Sequence, residues 1–164
     1  MQTHRWIVAV HFFAVVLTLS IFRTADSAQM TPVAPTPADK CPVCGMFVAK
    51  YPDFLAQIIF TDGSHVLFDG AKDMLKYFFD LNKYNAAKQR SDIAAIIVTD
   101  YYSMTPTDGR TAWYVVGSDV FGPMGRELIP FQQETEAKEF AKDHAGKHIL
   151  RFDEATPALV KGLE

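Results

Sequence analysis

Between residues 55 and 81 the hydrophobic pattern changes period once, and that change restricts the fold more than any other stretch of the chain. Residues 55–61 and 64–68 are short apolar runs on either side of Asp62-Gly63, a dipeptide suited to the tight two-residue turn of a β-hairpin. Phe68-Asp69 then leads into residues 70–81, where Ala71, Met74, Leu75, Phe78 and Leu81 recur at helical spacing, with Asp69 placed to cap the helix N-terminus. The stretch predicts a strand pair feeding one helix, a ββα unit.

The second half repeats this order loosely. Residues 82–92 are polar and read as a loop, and Ile93 to Thr99 has the composition of a buried strand. A connection over residues 100–110 ends in Asp108-Gly109, and residues 111–117 form another strand. Residues 118–126 look irregular, Leu128 to Phe131 suits a short strand, and a helix over residues 133–144 turns Ala137, Phe140, Ala141 and His144 to one face before stopping at Gly146. A strand over residues 148–152 and a short helix over 156–163 complete the chain. Phe131 enters a helix as Phe68 does. The expected architecture is α+β: two small ββα-like units, about 41–90 and 91–164, packed together because neither alone can bury a core.

The N-terminal residues stand apart. Residues 6–22 are almost entirely apolar behind Arg5, a length between the ~7–15 residues of a signal-peptide core and the ~17–25 of a membrane span. Residues 1–28 are expected to be a signal peptide or an N-terminal membrane anchor, and either places the body outside the cytoplasm, in the periplasm, with residues 6–22 as its membrane contact. Residues 29–40 carry three prolines at short intervals and read as an extended linker. A net charge of −3, with both signs mixed and no basic block, excludes a nucleic-acid partner.

Chemistry concentrates in Cys41-Pro42-Val43-Cys44-Gly45-Met46, which holds both cysteines of the chain. Two thiolates and a thioether so close together suit a soft ion, above all Cu(I). Structural zinc prefers four Cys and His ligands, so here it would draw on His65, His144, His148 or a second subunit in a homodimer. Two thiols three residues apart also suit a redox disulfide, which leaves a thiol–disulfide oxidoreductase and a structural or sensory zinc module as alternatives. Outside the stretch, Met124 lies in Gly122-Pro123-Met124-Gly125, a turn-favouring setting that exposes its thioether, and His65 follows the hairpin turn. Met74 belongs to the apolar helix face. No hydrolase, metalloprotease, nucleotide-binding or haem-attachment motif is present, so no enzyme is expected.

Cys44-Gly45-Met46, the hairpin leading to Phe68 and a helix, and then Val115-Val116-Gly117-Ser118, Gly122-Pro123-Met124-Gly125 and Pro130-Phe131 together resemble the NosL family, copper-binding accessory proteins of nitrous oxide reductase. The similarity runs over roughly residues 40–153. It implies an extracytoplasmic Cu(I) chaperone of two ββα units that helps load the copper centres of the reductase, receiving metal from its other accessory proteins. Carried over by position, Cys44 and Met46 match the Cys-Gly-Met motif and Met124 the second-half methionine, while His65 lies outside any motif. Two departures stand out. Family members are commonly lipoproteins, yet no cysteine follows the apolar run to accept lipid, and Cys41 is additional to a lone-cysteine site.

Overall fold

Asp62-Gly63 turns the chain, but as part of a longer loop than a two-residue turn. Gly63 donates its N–H to Phe60 O at 2.9 Å, and Phe60 N–H bonds Ser64 O at 2.8 Å. Gly63 sits at φ +82, a left-handed conformation that side-chain-bearing residues rarely adopt. Strands β1 (Ala56–Phe60) and β2 (His65–Phe68) pair antiparallel on either side, in a computed structural model that describes residues 31–164. The expected signal or anchor at residues 1–28 lies outside the described residues. Among those described, no helix is long and apolar enough to cross a membrane.

Helix α1 (Ala71–Phe79) follows β2 and buries Ala71, Met74 and Leu75. It stops two residues earlier than the sequence predicts, and Leu81 opens a separate short helix, α2 (Leu81–Tyr84). The cap position falls on Gly70, not Asp69, and no side chain caps this end. Asp69 is thereby free for another role.

Strand β3 (Ile93–Thr99) forms where expected but returns to the first sheet, pairing Ile58 with Ile96 and Ala56 with Val98. With β4 (Pro106–Asp108) it completes a sheet of order β2-β1-β3-β4, so the first layer continues past residue 90. Strands β5 (Trp113–Gly122), β6 (Gly125–Phe131) and β7 (His148–Arg151) make a second sheet of order β6-β5-β7, with α3 (Glu134–Asp143) between β6 and β7 and α4 (Pro157–Lys161) after it. Side chains alternate across the second sheet, as the two-residue repeat of a strand requires. Tyr114, Val116, Leu128 and Leu150 join Ile58, Phe68 and Met74 in the main core, while Val115, Ile129 and Phe131 pack with Ala137 and Phe140 under α3. Each such fully buried aliphatic or aromatic side chain stabilises the fold by roughly 1.5–3 kcal/mol.

Residues 118–126 are not irregular. They are the outer end of a hairpin whose register shifts between Val116 and Phe121 and closes at Gly122 opposite Gly125. The glycines and proline that read as breakers build the shift and the turn, and Phe121, 60 % exposed, breaks the apolar alternation because this end projects from the core. The Pro-rich residues 31–40 are docked rather than free: Val33 N–H bonds Gln57 Oε1 at 2.8 Å, and Lys40 bridges Phe47.

The hairpin is fastened to the first turn of α1. Glu127 is buried, and its Oε1 accepts N–H bonds from Lys72 at 2.5 Å and Leu128 at 2.9 Å. The carboxylate fits only because Gly70 has no side chain, since a Cβ there would lie 2.2 Å from Glu127 Oε2. Gly70→Ala is therefore expected to destabilise the protein by about 1–3 kcal/mol, the usual range for overpacking, read as a lower urea midpoint at unchanged slope.

Candidate metal centre

Cys41 to Met46 folds into a knuckle. Gly45 N–H bonds Cys41 O and Cys41 N–H bonds Met46 O, both at 2.9 Å, and Gly45 takes φ +80 to close the turn. The backbone N–H groups of Val43 and Cys44 face the Cys41 sulfur, and that of Met46 faces the Cys44 sulfur. Such donors favour sulfur carrying negative charge.

Opposite the knuckle stands the start of α1. Asp69, in the link just after β2, and Asp73, in the first turn of α1, both reach the two sulfurs. Cys44 Sγ lies 3.2 Å from Asp69 Oδ1 and Cys41 Sγ 3.5 Å from Asp73 Oδ2. One ligand atom from each of Cys41, Cys44, Asp69 and Asp73 falls within 4.8 Å of the other three. Asp69 Oδ2 is buried with no hydrogen-bond partner among the described residues. A buried carboxylate oxygen left unpaired costs free energy that a bound cation would recover.

Both thiols are held in the protonated form. Burial pushes Cys44 up to about 11 against the favourable Met46 N–H, and pushes Cys41, which is only 1 % exposed, higher still. The S–H groups thus donate to the carboxylates, and the cluster avoids four negative charges at close range. An ion entering between them displaces the thiol protons. The same elevation argues against disulfide-exchange catalysis, which needs a thiol acidified by its surroundings, commonly at a helix N-terminus.

The structure brings Cys41 and Cys44 together, with Met46 half-buried beside them and closing the knuckle through its backbone. Met124 is 45 % exposed at the β5–β6 tip, and its carbonyl accepts a bond from Lys72 Nζ on α1 at 2.7 Å. His65 is exposed at the start of β2, outside the cluster, beside a surface depression shared with Asp39, Lys40 and Pro42. Sequence reasoning missed Asp69 and Asp73. The available signal was the pair itself: a helix start uses at most one capping carboxylate, and a second four residues on points to another task.

Fold and site together define a small α+β protein whose largely buried cysteine–carboxylate cluster, reached at Cys44, is suited to holding a metal ion. The chain belongs to the NosL family, whose model matches residues 32–160. The copper-binding lipoprotein NosL of Stutzerimonas stutzeri is 31% identical over 141 residues, covering 81% of this chain and 70% of that protein. The crystal structure of the copper chaperone NosL from Shewanella denitrificans has the same fold, with a TM-score of 0.67 at 24% identity, over 79% of this chain and 98% of that one.

Proposed function

We propose that the chain is a periplasmic Cu(I) carrier that serves the assembly of copper centres in nitrous oxide reductase. The observation that carries the reading is the cluster of Cys41 and Cys44 sulfurs against Asp69 and Asp73, with one carboxylate oxygen unpaired. Copper is cargo here. Cys44, half-exposed, is the entry ligand, Cys41 lies buried beneath it, and the thioethers of Met46 and Met124 complete a sulfur set for Cu(I). Cys44, Met46 and Met124 reach the surface, where an acceptor's ligands replace them one at a time and leave Cys41 to release last. Family membership supports the cargo, since the S. stutzeri relative is named copper-binding and the S. denitrificans protein a copper chaperone. That first relative is named a lipoprotein, but here no cysteine between residue 22 and the knuckle is available for lipid, so residues 6–22 are the membrane contact if the N-terminus is retained.

Reduced protein competed with bathocuproine disulfonate under anaerobic conditions is expected to bind one Cu(I) per chain. Because the thiols are protonated far above neutrality, apparent affinity should fall about tenfold per pH unit on acidification for each thiol that ligates. A pH-independent affinity would remove the thiols from the site. The two carboxylates favour a second reading, a divalent ion such as Zn(II). Metal analysis of the protein after anaerobic loading with both ions, returning zinc in preference to copper, would select it.

A further inference from the structure

We propose that Lys72 is a positioning residue for the cargo site, holding the β5–β6 tip, and with it Met124, against the start of α1, beside Asp69 and Asp73. The inference rests on the reading of Met124 as a cargo ligand.

Lys72 is 2 % exposed, although it carries an ammonium group. Its Nζ donates to Met124 O at 2.7 Å and to Arg126 O at 2.8 Å, the two carbonyls that flank Gly125. These bonds grip main chain, so they fix the path of the tip whatever its side chains do. Beyond the hairpin's own pairing of Phe121 with Arg126 and Gly122 with Gly125, its side chains do little to seat it on the body. Phe121 and Met124 are exposed, and Gly125 sits at φ +84 with open space around it. One residue further along, Glu127 accepts the N–H of the same Lys72, so one helical residue holds the hairpin through both its side chain and its backbone. Lys72 stands immediately before Asp73 and three residues after Asp69. The tip is therefore tied to the first turn of α1, which carries Asp73 and directly follows the link that carries Asp69.

Burying an ammonium group carries a large desolvation cost, and an apolar contact would join two layers more cheaply. What the ammonium adds is a fixed location, relative to α1, for the end of the hairpin. A thioether is a weak ligand, useful to a bound ion only where its position is set beforehand. Groups that orient metal ligands typically change affinity by about 10–100-fold when removed.

The test is a double-mutant cycle on the full chain, reduced and folded by near-ultraviolet circular dichroism, with Cu(I) as the probe and bathocuproine disulfonate as competitor. Met124→Leu and Lys72→Leu are each expected to weaken binding about tenfold, and the double variant no further than either alone. X-ray absorption should count one sulfur fewer in all three than in the parent. Lys72→Gln, which keeps a donor for one carbonyl, should recover part of the loss, and it takes the place of Lys72→Leu if that variant does not fold. Losses that multiply in the double variant, or parent-like binding by the Lys72 variants while Met124→Leu is weakened, would overturn the positioning role alone. Unchanged binding by Met124→Leu would remove Met124 as a ligand and the proposal with it, leaving the thiol site to stand on Cys44.

Discussion

Cys44→Ala is expected to weaken Cu(I) binding by more than a hundredfold while leaving the fold intact. Structural zinc sites with four ligands gain about 10–16 kcal/mol from the metal, so one thiolate ligand is worth on the order of 3 kcal/mol. Cys44 is half-buried at the edge of the main core, and its side-chain partner is Asp69 across the cluster, so its truncation removes only peripheral packing. Cys41→Ser should lower affinity to a similar degree, because its sulfur lies in the same 4.8 Å cluster. It should also cost more stability, since the hydroxyl enters a buried site beside Asp73. Competition titrations of both variants, paired with their urea midpoints, separate the two effects. Parent-like affinity in Cys44→Ala would rule out the knuckle as the binding site.

The contrast between Cys41 and Cys44 also marks how far the sequence could be read. Its elements were legible wherever burial is regular: α1 and α3 follow from apolar periodicity, because each turns one face to the core, and β1, β2 and β3 from short apolar runs, β1 being buried along its whole length. The outer half of the β5–β6 hairpin was not, since its side chains face solvent and leave only turn residues to read. Sheet membership was hidden too. β3 carries the same buried composition whether it opens a second unit or closes the first, and only its register opposite β1 decides. At the site, the sulfurs were visible as a motif because they are close in sequence. The carboxylates were masked by a local explanation, helix capping, that Gly70 makes unnecessary. Lys72 and Glu127 were invisible for a different reason. Charged residues are read as surface until a contact between elements buries them, and these two are separated by more than fifty positions, |i−j| = 55.

The buried pair gives the other large effect. Stability of the metal-free protein is expected to fall as pH rises from about 5 to 8, because burial pushes Glu127 up to about 8 against the pull of Leu128 N–H, Lys72 N–H and the Lys72 charge. Unfolded, the same side chain titrates near its ordinary 4.5. The folded state thus keeps a proton that the unfolded chain releases, so this contribution is complete below about 4.5, declines by about 1.4 kcal/mol per pH unit through the window, and levels off above about 8. Oε1 accepts two N–H bonds, which leaves the proton to Oε2. Glu127→Gln reproduces that neutral form, with an amide donor where the acid carries its O–H. The variant should match the parent near pH 5 and exceed it at pH 8 by a few kcal/mol, on the order of the window multiplied by that slope. Exposed carboxylates such as Asp62 and Glu164, held below their ordinary range by Lys88 and Lys76, act in the opposite direction at more acidic pH and cancel in the comparison. If Glu127 were instead ionised at neutral pH and held by Lys72, the amide would strip Lys72 of its counter-charge and be less stable than the parent at pH 8. Urea unfolding of the two proteins at pH 5 and pH 8 therefore decides whether the ammonium that holds the Met124 hairpin is balanced by a carboxylate or stands as a lone buried charge.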